Sequence, residues 1–284
     1  MCITPITLQR NYKSLNKSDI NHFTNVVPCG KCFQCLSRRS EHWAFRIENE
    51  MKECYSVVFL TLTYEEQPLS NNGYPTLVKK DFQNFMKRLR KRMPQSNPKL
   101  KYYACGEYGT QTQRPHYHAI MFNLPQSYIQ RENKIRETWN NGNIDLRPCN
   151  IARIKYVTKY ITKGFWKKHK DKIDYETGEI IVDDRIPEFS LMSKNLGLNY
   201  LKKNVVKNHK DNLQGHVVRA GGIIQSLPRY YRDKLFNRQE KKVIAEAFLL
   251  NRKEKFKSHK LEVQWKKQKI KEVKLQNKLK RNQI

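Results

Sequence analysis

The sequence predicts an α+β fold: a central antiparallel sheet with helices on one face, preceded by a cysteine-rich module and followed by a basic helical tail. Three observations carry this. The run Ser56-Val57-Val58-Phe59-Leu60-Thr61-Leu62-Thr63-Tyr64 is β-branched and aromatic, and too short for a buried helix of ordinary length. Between Asp81 and Met93, the residues Phe82, Phe85, Met86, Leu89 and Met93 line one side at helical spacing. From the first strand onward the order reads strand, helix, strand, strand, helix, strand, helix.

Residues 1–54 form the amino-terminal module, weakly periodic until a helix from about Cys35 to Cys54 with Trp43, Ile47 and Met51 four apart. Residues 55–235 form the principal domain with a carboxyl extension. Its first helix takes Asp81 as N-cap and stops at Pro94. Lys101 to Cys105 is the second strand, and His116 to Phe122 the third. A polar helix spans Ser127 to Trp139 and closes at Asn141-Gly142. Ile144 to Arg147 is a short strand, and Ile151 to Lys163 a helix. Residues 166–235 mix short apolar stretches with Gly/Asn turns and receive no role. Residues 236–284 are the Lys-rich, partly helical tail.

The 284 residues carry 56 Lys and Arg against 26 Asp and Glu, a formal charge of +30. A solvated charged face explains so large an excess less well than a polyanionic partner does. Mean hydropathy is −0.84, and no apolar run approaches the ~20 residues of a membrane span. Met1-Cys2-Ile3-Thr4-Pro5 lacks the basic-then-apolar pattern of a signal peptide, so a cytoplasmic protein is expected.

The most informative stretch is Arg114-Pro115-His116-Tyr117-His118. On a strand, alternate side chains share a face, so His116 and His118 project together and Tyr117 points away. Taken alone, a His-x-His is more often core packing than a ligand pair. Glu107, at the end of the preceding strand, supplies a third ligand if the two strands pair. Two imidazoles and one carboxylate leave positions open on a divalent cation, and Mg²⁺ or Mn²⁺ there can meet a phosphate oxygen.

A second constellation is Tyr156-Val157-Thr158-Lys159-Tyr160-Ile161-Thr162-Lys163, in which Tyr-apolar-Thr-Lys occurs twice. On a helix, Tyr156, Lys159, Tyr160 and Lys163 share one stripe, and Ile151, Ile154, Val157 and Ile161 fall on the opposite side. The tyrosines are therefore expected among lysines rather than in the core, facing an anion. One reading is a nucleic-acid contact surface without chemistry. The other makes the phenols nucleophiles: attack on a phosphodiester leaves a 5′-phosphotyrosine and a free 3′-OH, with the lysines supplying positive charge. A second phenol one turn away can then cut again while the 3′-OH resolves the first adduct.

These residues together resemble the HUH replication initiators, and among them the two-tyrosine replication proteins of single-stranded DNA microviruses of gokushovirus type. The likeness covers roughly residues 1 to 165. Cys2 with Pro28-Cys29-Gly30-Lys31-Cys32 resembles the family's opening, and Phe59 through Tyr64 its first motif. Pro115-His116-Tyr117-His118 resembles the second motif, and Tyr156 through Lys163 the third. The resemblance implies a palm-like, ferredoxin-like sheet with the histidines on a central strand and the tyrosines on a following helix. It implies an endonuclease and strand transferase that starts rolling-circle replication on single-stranded DNA at an origin. Use of Mg²⁺ or Mn²⁺, a bacterial host cytoplasm, and a host DNA polymerase and helicase are implied as well. The chain has no Gly-x-x-x-x-Gly-Lys-Ser/Thr phosphate loop.

Cys29, Cys32 and Cys35, with Cys2 as fourth ligand, are spaced for structural Zn²⁺; His22 and His42 are other candidates. An iron–sulfur cluster and a set of reduced thiols are the alternatives. Competing functions are a non-catalytic basic nucleic-acid-binding protein and another HUH enzyme, a transposase or relaxase. Transposases of this type usually carry one tyrosine and relaxases usually a third histidine, and this chain has paired tyrosines with only His-x-His.

Overall fold

Alternation along one strand organises the computed structural model, which describes the backbone of residues 2–13, 20–94, 99–163, 172–173, 175–219 and 222–256. An antiparallel hairpin of β1 (Ile6–Lys13) and β2 (Ile20–Val27) comes first and leads into helix α1 (Phe33–Met51). The weak periodicity of this segment gives no sign of the hairpin. Then follow β3 (Val57–Thr63), α2 (Lys79–Arg92), β4 (Lys101–Tyr108) and β5 (Pro115–Phe122). Two short helices, α3 (Gln126–Ile129) and α4 (Asn133–Trp139), precede β6 (Ile144–Pro148) and α5 (Ile151–Lys163). The remaining elements are a small hairpin of β7 (Lys172–Ile173) and β8 (Ile180–Ile181), β9 (Phe189–Met192), α6 (Lys203–Asp211), a hairpin of β10 (His216–Arg219) and β11 (Ile223–Ser226), α7 (Arg229–Leu235) and α8 (Arg238–Phe256). The rest of the expected tail lies outside the described residues.

The central sheet has five strands in the order β6-β3-β5-β4-β9, all antiparallel. Helices cover both of its faces, not one. Val58, Leu60 and Leu62 of β3 join Tyr117, Ala119 and Met121 of β5 in a core with Phe82, Phe85 and Leu89 of α2 and with Trp139 of α4. Phe59, Ile120, Phe122 and Tyr103 point the other way, against Ala44 and Ile47 of α1 and Ile154 and Val157 of α5. The physical reason is visible in β3 itself. Its side chains are apolar on both alternating sets, so each face needs a cover.

Helix α2 begins two residues before the expected N-cap: Val78 occupies that position, and Asp81 lies in the first turn. Asp81 instead accepts a hydrogen bond from the Tyr64 hydroxyl (2.7 Å). The helix stops at Arg92, with Met93 extended ahead of Pro94. The polar helix expected over residues 127–139 is broken into α3 and α4, and the left-handed Asn140 (φ 55°) ends the second. Gly142 follows because a Cβ there would lie 2.3 Å from the Glu65 backbone nitrogen.

The region without an assigned role supplies an edge strand and a buttress. β9 pairs with β4. Beyond it, Leu227, Tyr231, Leu235 and Phe236 pack with Phe45 on α1. Arg46 donates to the Leu196 carbonyl (3.1 and 2.7 Å) while its guanidinium stacks on Trp43 and Tyr230. The buried Glu50 pairs with Lys101 (2.6 Å) and accepts from the Gly197 backbone (2.7 Å). Helix α1 is thus fixed between the sheet and the carboxyl region, which matters because α5 rests on it.

His42, also on α1, hydrogen-bonds through Nε2 with Ser226 Oγ (3.1 Å). Burial, then the charges of Arg232 and Arg38, push its pKa down to about 4 from the ordinary 6.5. The unfolded chain therefore takes up a proton that the folded ring refuses, and stability is lost as pH falls from about 6.5 toward 4. Acid titration monitored by denaturant unfolding should show a loss of about 1–2 kcal/mol across that window, less than the full shift because the ring is part-exposed. His42→Gln should remove this component, and equal slopes in both proteins would refute the assignment. Among the described residues no helix is long and apolar enough to cross a membrane.

Candidate metal and tyrosine site

Antiparallel pairing of β4 with β5 sets Glu107 opposite His116 and Cys105 opposite His118. His116 and His118 share a face, and Tyr117 is buried on the other. One ligand atom from each of Glu107, His116 and His118 lies within 4.8 Å of the others. Glu107 Oε2 is 3.8 Å from His116 Nε2 and 3.6 Å from His118 Nε2. The carboxylate is nearly inaccessible to solvent.

The outer ring nitrogens are engaged. His116 Nδ1 donates to the Arg114 carbonyl (3.0 Å), and His118 Nδ1 hydrogen-bonds with Thr61 Oγ1 (3.1 Å). A proton on Nδ1 leaves the Nε2 lone pair of each ring aimed at Glu107, the arrangement in which imidazole ligates a cation. The donor set of two imidazoles and a carboxylate therefore fits a divalent metal ion. Thr61 does not stand out in the sequence as a site residue. Its signal is present nonetheless, since Thr61 lies on the same alternate set of β3 as Phe59 and pairs in register with His118. Thr61→Val, close in volume, is expected to weaken Mn²⁺ binding roughly 10-fold or more in titration calorimetry, with Thr61→Ser restoring it. Unchanged affinity in the valine variant would remove Thr61 from the site.

Helix α5 brings both tyrosines to this cluster. The rings of Tyr156 and Tyr160 lie 5.4 and 6.1 Å from the His118 ring and 4.9 Å from each other. Phe59 stacks on His118 at 5.2 Å. The two phenols are not equivalent. Tyr156 is 45% exposed and Tyr160 5%. The expected separation of tyrosines from the apolar side fails for Tyr160, which packs in one cluster with Ile154 and Val157. The reason is helical geometry: Val157 and Tyr160 are three apart and flank the same side. Ile151, assigned to the apolar side, is exposed. Burial first, then the Glu107 carboxylate, hold the Tyr160 phenol far above its ordinary pKa. Burial raises Tyr156 as well. Lys159 is exposed on the same helix; the Lys163 side chain lies outside the described residues.

Cys2, Cys29, Cys32 and Cys35 form the second group of potential metal ligands, their sulfurs all within 4.8 Å of one another. Cys2 Sγ is 3.4 Å from Cys29 Sγ and 3.7 Å from Cys32 Sγ. A hydrogen bond from Thr4, then those from the backbone, bring the Cys29 thiol down to about 5, and burial pushes Cys35 up to about 12. Of the two histidine candidates, His42 is occupied by Ser226 as described above, and the side chain of His22 lies outside the described residues.

A sheet carrying paired histidines at its centre and tyrosines on the helix behind places the chain in the class of phage replication proteins. The model of the family described as replication-associated protein ORF2 matches residues 57–165, from β3 to the end of α5. The replication-associated protein ORF2 of Spiroplasma virus 4 is 30% identical over 74% of this chain and 72% of its own length. The replication-associated protein VP4 of Bdellovibrio phage phiMH2K is 29% identical over 73% and 67%. The replication-associated protein ORF4 of Chlamydia phage 1 is 27% identical over 76% of this chain and 55% of its own length. No solved structure matches the chain. The chain belongs to the replication-associated protein ORF2 family, the microvirus-like rolling-circle replication initiators.

Proposed function

We propose that the protein is an HUH-type endonuclease that nicks single-stranded DNA at a replication origin, holds the 5′ end on a tyrosine and later rejoins the displaced strand. The observation that carries this reading is the approach of both phenol rings to His118, on the face that also presents Glu107 and His116. When bound by Glu107, His116 and His118, a Mg²⁺ or Mn²⁺ ion supplies a Lewis acid to a phosphodiester oxygen.

The chain's own residues supply the nucleophiles and their setting. We assign the first attack to Tyr156, which is open to solvent, and the second to Tyr160, which is buried beside Glu107. Tyr156 Oη bonds to phosphorus and the bond from phosphorus to the 3′-oxygen breaks. The phenol loses a proton and the 3′-oxygen gains one, so the exchange conserves a phosphodiester bond and needs no external energy. After a full circle Tyr160 cuts the regenerated junction. The free 3′-OH then attacks the Tyr156 phosphoester, breaks the tyrosine-oxygen-to-phosphorus bond and restores the phenol. Lys159 and Lys163 contribute positive charge toward the DNA backbone.

In this reading the cysteine cluster holds structural Zn²⁺, a host DNA polymerase extends the 3′-OH and a host helicase opens the duplex. The work is done in the cytoplasm of a bacterial host. Incubating the full chain with Mn²⁺ and single-stranded DNA spanning its genome's replication origin should give an SDS-resistant protein–DNA adduct. Tight binding that never becomes covalent would instead identify a basic nucleic-acid-binding protein. Preferred cutting at a transposon end or transfer origin would identify a transposase or relaxase.

A further inference from the structure

The cysteine cluster sits where helix α1 lacks a conventional start. Its N-cap position is Cys32, extended at φ −68° and ψ 158°, with no side-chain hydrogen bond to the first turn and no acidic residue there. Arg38 and Arg39 follow in the next turn, the wrong charge for the positive end of a helix dipole. The N-cap and third helical positions, which a capping box fills with Ser or Thr and Glu, are here Cys32 and Cys35.

The surrounding geometry is that of a metal knuckle. Backbone N–H groups of Lys31 and Cys32 donate to Cys29 Sγ (3.4 and 3.2 Å), and that of Cys29 donates to Cys2 Sγ (3.2 Å). Gly30, at φ 74°, lets the chain wrap around the sulfur. The sulfur separations of 3.4 and 3.7 Å approach the roughly 3.8 Å edge of a tetrahedron built on Zn–S bonds of about 2.3 Å. Cys2 precedes β1 and Cys29 follows β2, so both ends of the first hairpin meet at the start of α1.

We propose that a zinc tetrathiolate at Cys2, Cys29, Cys32 and Cys35 is the N-terminal cap of α1, and so the anchor of the helix against which the tyrosine helix packs. Four thiolates around a divalent cation leave net negative charge beside the first-turn N–H groups, where a carboxylate would otherwise stand. The proposal rests on the reading of zinc at this cluster given above and is independent of the nuclease chemistry.

The test uses the wild-type full chain and never measures cleavage. Elemental analysis should find stoichiometric zinc, and cobalt exchange should give the visible absorption of a tetrahedral thiolate site. Zinc is then withdrawn with a mercurial reagent plus chelator and, after thiol reduction, added back. Hydrogen exchange in the segment 33–42 should become roughly fivefold faster or more on withdrawal and recover on re-addition, while β4 and β5 amides keep their protection. Protein purified without stoichiometric metal, and unable to take up cobalt, would remove the zinc reading and the cap with it. Zinc that comes and goes without altering exchange over residues 33–42 would overturn the cap alone. Cys2→Ser provides the check in a chain that keeps both α1 cysteines: weaker metal retention and faster exchange in the same segment are expected, and wild-type behaviour in both would count against the proposal.

Discussion

Replacing Tyr156 and Tyr160 together by phenylalanine is expected to abolish the covalent adduct on single-stranded DNA, by on the order of 10³-fold or more, with binding close to wild type. Phenylalanine keeps the ring contacts with His118 and the packing of Tyr160 against Val157, so the loss reads on the hydroxyls rather than on the fold. The single variants should differ. Tyr156→Phe should suppress the first nick most strongly, because Tyr160 is 5% exposed and held protonated by burial and by Glu107. Tyr160→Phe should still form the adduct but fail to release closed circles. Adduct formation by the double variant would remove both phenols from the chemistry, and equal first-cut rates in the two single variants would remove the assigned order.

The second large effect falls on the metal ligands. Glu107→Gln preserves shape and removes the charge, and His118→Ala removes the ring that both tyrosines approach. Each is expected to lower cleavage roughly 10³-fold, the several kcal/mol that a Lewis acid contributes to phosphoryl transfer. Mn²⁺ affinity should fall in parallel by at least about 10-fold. Glu107→Gln should also bring the Tyr160 phenol down toward its ordinary pKa, since one of the two main causes of its elevation is gone while burial remains. Full Mn²⁺ binding by both variants would show that the cation sits elsewhere.

Much of this is legible in the sequence because it depends on local alternation. The two-residue period of a strand puts His116 and His118 on one face, and the strand order around them makes Glu107 their cross-strand neighbour. The amphipathic spacing of α2 is equally plain, although its start is not. Asp81 has the chemistry of a cap, but its carboxylate serves Tyr64, a contact made across the fold. What the sequence hides is what distant segments decide. Whether a tyrosine on α5 is buried depends on α1, more than a hundred residues earlier, and Val157 and Tyr160 sit at the border of the apolar stripe where neighbours tip the balance. The second layer of helices is implicit in β3, whose apolar residues occupy both alternating sets. The role of residues beyond 186 escapes local patterning because their strand is short and finds its partner only at the edge of β4.

Glu107, His116 and His118 all belong to one hairpin, whereas the phenols arrive on a helix seated against α1. Contacts that close a short loop form at low entropic cost, and those joining remote segments form later. A nascent chain would thus own a cation seat well before it owns a nucleophile. Reactivity toward DNA is withheld until α1, the sheet and α5 have docked, and a half-folded copy can grip a strand without breaking it.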